Sequence, residues 1–194
     1  DEFGIMRYIV TEYVDGLTLS EILKCCLFSG KKIPEHVVIG ITLEVLSALD
    51  YLHKGILDPQ TLKTGVVHGD ISPANVMISF SGEVKVLDFG VSYLSALGPK
   101  HCFATPPYGA PEISTGQADE RSDIYSLSVV LFELLSLKRF SASSPDFVPR
   151  CSKGLIKVLQ KGTALDASER YQSVPEMIQA IEEHVRAENM VLLS

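Results

Sequence analysis

The chain has 194 residues, of which 46% are hydrophobic and 21% are charged, and its formal net charge is -7. This length and composition predict one globular domain with a core of ordinary size and exclude an intrinsically disordered chain. The acidic balance, without a visible basic run, argues against nucleic acid or an anionic membrane as a partner.

The first predicted elements are a strand and two helices. The run 8–14 is rich in β-branched and aromatic residues and predicts a strand that closes at a turn signal at 15–16. Thr18 can cap a short helix, and Pro34 opens a longer one whose apolar residues recur at helical spacing. The segment 55–64 lacks a helical period and predicts a loop.

The middle of the chain predicts a hairpin followed by a long irregular segment. The β-like runs 75–80 and 83–87 flank a Ser-Gly dipeptide at 81–82, the spacing of a two-residue turn. From 88 to 112 the sequence is punctuated by glycine and proline. Irregular segments of this length are usually functional or disordered.

The last part of the chain predicts three helices. The first spans about 123–138 and is apolar but too short for a membrane span, so it is expected to be a buried core helix. The second spans 153–161, with Gly162 as its C-terminal cap. The third follows Ser173, where Glu176 completes a capping-box pattern.

The cysteines indicate the compartment. Four cysteines occur without a C-x-x-C pair or metal-ligand spacing to histidine, and no secretory signal is visible. The reducing cytoplasm is therefore the expected location. The sequence opens at Asp1 rather than at methionine, which suggests a fragment or a processed product.

Three oxygen-bearing side chains are predicted to meet near the hairpin. Asp70 and Asn75 share one loop, and Asp88 ends the second hairpin strand. Carboxylate and amide oxygens suit Mg²⁺, and a further carboxylate near a nucleophile is what phosphoryl transfer requires.

Three motifs in order make this sequence resemble the eukaryotic-type (Hanks-type) serine/threonine protein kinases, including their bacterial members. Residues 68–75 match the catalytic loop H-R-D-L-x-x-x-N, 88–90 match D-F-G, and 110–112 match A-P-E. The resemblance implies an α+β, mainly helical fold, the C-terminal lobe of a protein kinase with a short β-hairpin at the active site. It also implies ATP and Mg²⁺ as cofactors and a protein as substrate.

The resemblance also implies a role for each matched catalytic residue. Asp70 orients the substrate hydroxyl or accepts its proton, and Asn75 and Asp88 hold Mg²⁺. Thr105 takes the threonine position that contacts the catalytic aspartate in serine/threonine kinases.

Further matched positions are implied to support this site. Asp123 is expected to fix the backbone of the catalytic loop. Arg170 is expected to pair with the A-P-E glutamate. At the hinge, Glu12 and Val14 are expected to offer backbone groups to adenine, and Met77 to form the floor beneath it.

The sequence departs from the family pattern first by absence. It contains no counterpart of the glycine-rich loop, the strand lysine or its partner helix glutamate, all of which precede the hinge in the family. We therefore expect a partial kinase domain at 1–187, followed by a tail at 188–194. Alone, this chain is expected to have little or no activity.

Two substitutions and one shortened connection within the matched part affect rate, regulation or docking. Ser72 stands where serine/threonine kinases usually have a lysine that stabilises charge on the γ-phosphate. Gly69 replaces the arginine that receives an activation-segment phosphate in many kinases, so that switch is not expected here. The connection 140–153 is shorter than usual, which suggests a missing docking surface.

Two other functions fit part of the pattern. Small-molecule kinases of the aminoglycoside and choline type share the His-Gly-Asp loop start, but the combination of Thr105, Glu112, Asp123 and Arg170 favours a protein kinase. A pseudokinase or interaction scaffold is the second alternative, and the retention of three oxygen ligands argues against it.

Overall fold

The computed structural model of the chain is mainly helical with two small antiparallel sheets, so the expected α+β architecture is confirmed. It describes residues 10–55, 65–88, 93–94, 105–142 and 151–192. The elements in chain order are β1 (Gly16–Thr18), α1 (Leu19–Ser29), α2 (Glu35–Lys54), β2 (Val66–Val67), β3 (Val76–Ser79), β4 (Val84–Val86), β5 (Tyr93–Leu94), a 3₁₀ turn (Pro111–Thr115), α3 (Glu120–Ser136), α4 (Lys153–Gly162), a second 3₁₀ turn (Ala167–Glu169) and α5 (Val174–Leu192).

The first two helices begin where the sequence predicts. Thr18 and Glu21 form a complete capping box at the start of α1, with Thr18 Oγ1 accepting from Glu21 N at 3.2 Å and the Glu21 carboxylate accepting from Thr18 N at 2.8 Å. Gly30 ends that helix in the left-handed conformation. Helix α2 begins directly after Pro34.

Helix α3 is the centre of the lobe. Every residue from 122 to 135 is buried, as expected for a core helix surrounded by other elements. Helices α2 and α4 pack against it, and α5 packs on α2, α3 and α4. It starts three residues before the predicted position, because Asp119 caps it by accepting from Arg121 N at 2.8 Å.

The predicted strand at 8–14 is wrong for the residues that the structure describes. Residues 10–14 do not pair with another strand among the described residues, and Val10 and Tyr13 are 84% and 86% exposed. The strand lies instead at Gly16–Thr18, where Leu17 pairs with Ile78 of β3. Strand formation needs a pairing partner, which β-propensity alone does not supply. Residues 8 and 9 lie outside the described part.

The predicted hairpin is confirmed, but its turn has a different length. Strands β3 and β4 pair with Ile78 opposite Val84. Residues 80–83 lie between the two strands. Ser79 N donates to Glu83 O at 2.9 Å, so the loop beyond the last backbone hydrogen bond has three residues, 80–82, rather than two. Gly82 N donates to Ser79 O at 2.9 Å, and Gly82 has a φ of 91°. A hydrogen-bonded turn followed by a glycine with positive φ is the arrangement that three-residue hairpin loops favour.

The last two helices differ from the predictions only at their ends. Gly162 is the final helical residue of α4 rather than its cap. At α5, Glu176 N donates to Ser173 Oγ at 3.4 Å, but the Glu176 carboxylate accepts from Gln172 N at 2.7 Å instead of completing the box with Ser173. Helix α5 continues to Leu192. The predicted loop at 55–64, apart from Gly55, lies outside the described residues, as do residues 143–150 of the short connection at 140–153.

Among the described helices, α2 is long and apolar enough by composition to cross a membrane. Its apolar residues from Val38 to Leu49 belong to the hydrophobic core. A core helix meets the same criteria of length and composition, so this property carries little weight.

Candidate active site

The catalytic loop 68–75 is fixed to the central helix by Asp123. This carboxylate is fully buried in the first turn of α3. Its Oδ2 accepts from His68 N at 2.9 Å, and its Oδ1 accepts from Gly69 N at 2.8 Å. His53 Nε2 lies 2.7 Å from Oδ2. Asp123 thus holds the backbone of the catalytic loop, as the resemblance to kinases implied.

Gly69 has a local backbone reason to be glycine. Its φ of 79° falls in the left-handed region, which side chains with a Cβ rarely adopt. In this conformation its N–H points to Asp123. Glycine therefore adopts this conformation without the steric strain that a residue with a Cβ would have.

The Asp70 carboxylate is held on both oxygens. Asn75 Nδ2 donates to Asp70 Oδ2 at 3.0 Å and to the Asp70 carbonyl at 2.8 Å. Thr105 N donates to Asp70 Oδ1 at 2.8 Å. The structure therefore brings together these three predicted site residues, although Thr105 makes its contact through the backbone rather than through the hydroxyl.

Asp88 follows β4 at the same end of the hairpin. The preceding Leu87 donates its N–H to Asn75 O at 2.8 Å, and its carbonyl lies 3.0 Å from His68 Nε2. These bonds hold the backbone that leads into Asp88 against the catalytic loop. Asp88 itself is exposed and has a φ of 60°, a conformation that aspartate tolerates and that clusters at functional sites. The remaining D-F-G residues, 89 and 90, lie outside the described part.

The donor set of this site fits a hard divalent cation. Because the Asn75 amide nitrogen donates to Asp70, its Oδ1 is the atom left to accept a cation. Asp88 adds an exposed carboxylate. Such oxygen ligands are the ones that Mg²⁺ takes in proteins, usually through one or two carboxylates plus water and phosphate.

The residues predicted for adenine lie along the hairpin. Glu12 is exposed, and its Oε1 is 3.7 Å from Lys85 Nζ. Lys85 in turn pairs with Met77 across the β3–β4 ladder. Glu12, Val14 and Lys85 line one shallow pocket. The structure thus brings the hinge segment to the strand that carries Met77.

The A-P-E glutamate is locked by a buried ion pair. Arg170 Nη1 and Nη2 lie 2.7 and 2.9 Å from the two Glu112 carboxylate oxygens. Ser122 Oγ donates to Glu112 Oε1 at 2.7 Å. Burial raises the pKa of Glu112, but the hydrogen bonds from Arg170 and Ser122 outweigh burial, and the net pKa is lowered. The end of the activation segment is thereby attached to the helical core.

Three further residues support the site through contacts that the sequence did not indicate. The His53 side chain is 5% exposed and contacts the Asp123 carboxylate. Ser122 bonds Glu112, and Tyr108 Oη donates to the buried Glu133 at 2.8 Å. Each contact joins segments that are far apart in sequence, so no local pattern could have shown them.

Ser72 faces the interior. It is 1% exposed, and its Oγ has no hydrogen-bond partner within the described part of the chain. The neutral, buried Ser72 hydroxyl therefore cannot do what the family lysine does, because it carries no positive charge and does not face the solvent-exposed site.

Comparison with known proteins agrees with this geometry. The protein kinase domain family model matches residues 5–188. A probable serine/threonine-protein kinase PknB of Lactococcus lactis is 34% identical over 199 residues, covering 91% of this chain and 30% of that protein. PknB of Mycobacterium tuberculosis is 32% identical over 198 residues, covering 90% of this chain and 30% of that protein.

A solved structure shows the same fold. The crystal structure of the Mycobacterium tuberculosis PknI kinase domain superposes with a TM-score of 0.68 at 27% identity, covering 89% of this chain and 64% of that chain. The chain spans about a third of the length of the curated relatives it matches. Because the family model covers almost all of its residues, the chain belongs to the protein kinase family and, within it, to the Hanks-type serine/threonine kinases of the bacterial kind.

Proposed function

We propose that the protein containing this chain transfers the γ-phosphoryl group of ATP to serine or threonine residues of protein substrates. The observation that carries this proposal is the Asp70 carboxylate, held between Asn75 and Thr105 on a loop that Asp123 anchors. A carboxylate fixed in this way can orient a hydroxyl and take up its proton.

Each predicted site residue has a part in this proposal. Asp70 positions the substrate hydroxyl. Asn75 and Asp88 would hold Mg²⁺, which neutralises phosphate charge when it is bound with ATP. Adenine would lie against the hinge backbone at Glu12 and Val14, over Met77. Thr105 keeps the activation segment next to Asp70.

We further propose that residues 1–187 form part of a kinase domain and that this chain alone is poorly active. No residue in it matches the glycine-rich loop or the strand lysine that hold the phosphates in the family. A cytoplasmic location belongs to the same proposal, and the three described cysteines, all free thiols, are consistent with a reducing compartment.

The alternatives make different predictions. A small-molecule kinase would not need the attachment of the activation segment through Glu112 and Arg170, so that ion pair favours a peptide-binding segment. A scaffold would not need the donors that order Asp70, nor an exposed Asp88 next to Leu87, which bonds the Asn75 carbonyl.

The deciding experiment uses the full-length protein. Nucleotide binding is titrated with and without Mg²⁺, and phosphate transfer to serine and threonine peptides is measured. Asp88→Asn should abolish the Mg²⁺ dependence of nucleotide binding. Asp70→Asn should retain nucleotide binding but lower transfer by about 10²- to 10⁴-fold, as expected for loss of a general base.

Asp50→Asn is the matched control. Asp50 lies on α2, where it forms an ion pair with Lys54 four residues on. This variant should leave binding and transfer unchanged. Nucleotide binding that does not depend on Mg²⁺ and is unaffected by Asp88→Asn would favour the scaffold function. Phosphate transfer to a small alcohol instead of a peptide would favour the small-molecule kinase.

A further inference from the structure

A pocket opens beside the candidate active site, between α1 and the end of α3. Its volume is about 160 Å³. Pro73, three residues after Asp70, and Tyr108, three residues after Thr105, form part of its wall. A peptide that presents its hydroxyl to Asp70 therefore passes close to this pocket.

The floor of the pocket is the Glu133 carboxylate, which already has hydrogen-bond partners within the protein. Glu133 is 4% exposed. It accepts a hydrogen bond from Tyr108 Oη at 2.8 Å, and Phe140 N lies 3.4 Å from its Oε1. Burial, followed by the contact with Glu133, raises the pKa of the Tyr108 hydroxyl, so this group stays protonated and donates.

Arg139 covers this carboxylate from the solvent side. Its Nη1 lies 3.7 Å from Glu133 Oε1 and donates to Tyr108 Oη at 2.8 Å. Its guanidinium carbon is 5.8 Å from the centre of the Tyr108 ring. The negative charge in the floor is therefore already paired with a cation of the same chain.

The rim of the pocket is cationic. Lys24 from α1 joins Lys138 and Arg139 after α3, and all three side chains line the pocket and are exposed. Lys138 forms no ion pair with a carboxylate among the described residues. Lys24 interacts with Glu21 three residues earlier on α1, whose pKa is lowered by hydrogen bonds with Thr18 and then by the charge of Lys24, but Glu21 does not line the pocket. Three cations thus surround a single compensated carboxylate, on a chain whose net charge is -7. These residues come from two distant segments, so they form no basic run in the sequence.

The walls and size suit a short side chain with a charged end. Leu23, Leu27 and Leu137 provide apolar surface for methylene groups. The volume of about 160 Å³ is many times the ~10–15 Å³ that a single water molecule needs, which leaves room for a carboxylate and its methylenes. Partial desolvation inside the pocket strengthens the attraction between a bound carboxylate and the cations.

We propose that this pocket selects an acidic side chain, aspartate or glutamate, near the phosphorylated residue of the substrate. Lys24, Lys138 and Arg139 are the specificity-determining residues. This inference rests on the proposed kinase function, because that function is what brings a peptide to Asp70.

The test uses the full-length protein and a set of fluorescent serine peptides. Aspartate, alanine or lysine is placed in turn at each position on either side of the serine. We expect one position at which the aspartate peptide binds about fivefold to tenfold more tightly than the lysine peptide, as for a few partly exposed ion pairs. The double variant K24E/K138E should abolish or reverse this preference.

A matched control reverses two lysines elsewhere. Lys153 and Lys157 are exposed on α4, and K153E/K157E changes the net charge by the same amount without touching the pocket. It should keep the preference. The inference is overturned if both double variants behave alike, or if no position favours aspartate over lysine.

Peptide binding by fluorescence anisotropy separates this inference from the proposed function. If the charge preference follows K24E/K138E but no phosphate is transferred, the pocket stands and the kinase function fails. If phosphate is transferred without any charge preference, the kinase function stands and the pocket inference fails.

Discussion

Arg170 and Glu112 form a two-pronged ion pair 58 residues apart in sequence, with Nη1–Oε1 and Nη2–Oε2 distances of 2.7 and 2.9 Å. The Arg170 side chain is fully buried and that of Glu112 is 14% exposed. Arg170 also donates to the carbonyls of Arg121, Ala164 and Leu165. One guanidinium therefore connects the activation segment, the start of α3 and the turn before α5.

Breaking this pair should be costly. In Arg170→Met the Glu112 carboxylate keeps its buried position without its cation, so we expect the free energy of unfolding to fall by about 3–5 kcal/mol. Urea unfolding followed by circular dichroism measures this. Arg186→Met is the control, because Arg186 pairs with Glu182 on the exposed face of α5, and such pairs contribute at most about 1 kcal/mol. Equal effects of the two variants would show that the buried pair has no special role.

The same pair should make the free energy of unfolding depend on pH in the acidic range. The pKa of Glu112 is lower in the folded protein than in the unfolded chain, so its contribution is complete above the unfolded value of about 4.3. That contribution is lost as pH falls through the lowered folded pKa. Glu112→Gln should therefore be less stable than the wild type at pH 7, and the gap should narrow below about pH 4. A gap that is constant with pH would show that ionisation of Glu112 is not its source.

The sequence predicts most of the local features correctly because they depend on neighbouring residues. Thr18 caps α1, Pro34 precedes α2, and Gly82 turns the hairpin, each through contacts within four residues. The roles implied for Asp123 and Arg170 came from the kinase resemblance, since spacing in the sequence cannot show which backbone groups they reach.

The errors arise where tertiary contacts decide. The run 10–14 has strand propensity but no described ladder partner, whereas Gly16–Thr18 has less propensity and pairs with β3. Glu176 leaves its predicted capping box because Gln172 N and Lys161 Nζ compete for its carboxylate. The cationic rim at Lys24 and Lys138 exists only once α1 and the end of α3 come together.

Ser72 provides a test of the catalytic loop. Its buried Oγ lacks a hydrogen-bond partner in the described part, and an unsatisfied buried hydroxyl costs about 1–3 kcal/mol. We therefore expect Ser72→Ala to leave the free energy of unfolding unchanged or to raise it by about 1 kcal/mol. In the control Ser122→Ala the Glu112 carboxylate loses a donor at 2.7 Å, so stability should fall. A clear loss of stability in Ser72→Ala would reveal a partner for its hydroxyl.

Two helical glycines should respond in opposite ways to alanine. A Cβ at Gly162 would overlap Ser128 Oγ, where α4 packs on the buried face of α3, so Gly162→Ala should cost about 1–3 kcal/mol through overpacking. A Cβ at Gly40, on the exposed side of α2, would meet nothing within 4 Å. Gly40→Ala should therefore stabilise the protein by about 0.5–1 kcal/mol, because alanine loses less backbone entropy in a helix. Urea unfolding of both variants measures the difference. If Gly162→Ala were as stable as Gly40→Ala, α3 and α4 would have to pack less closely than described, and the position of the central helix that anchors His68 and Gly69 would change with them.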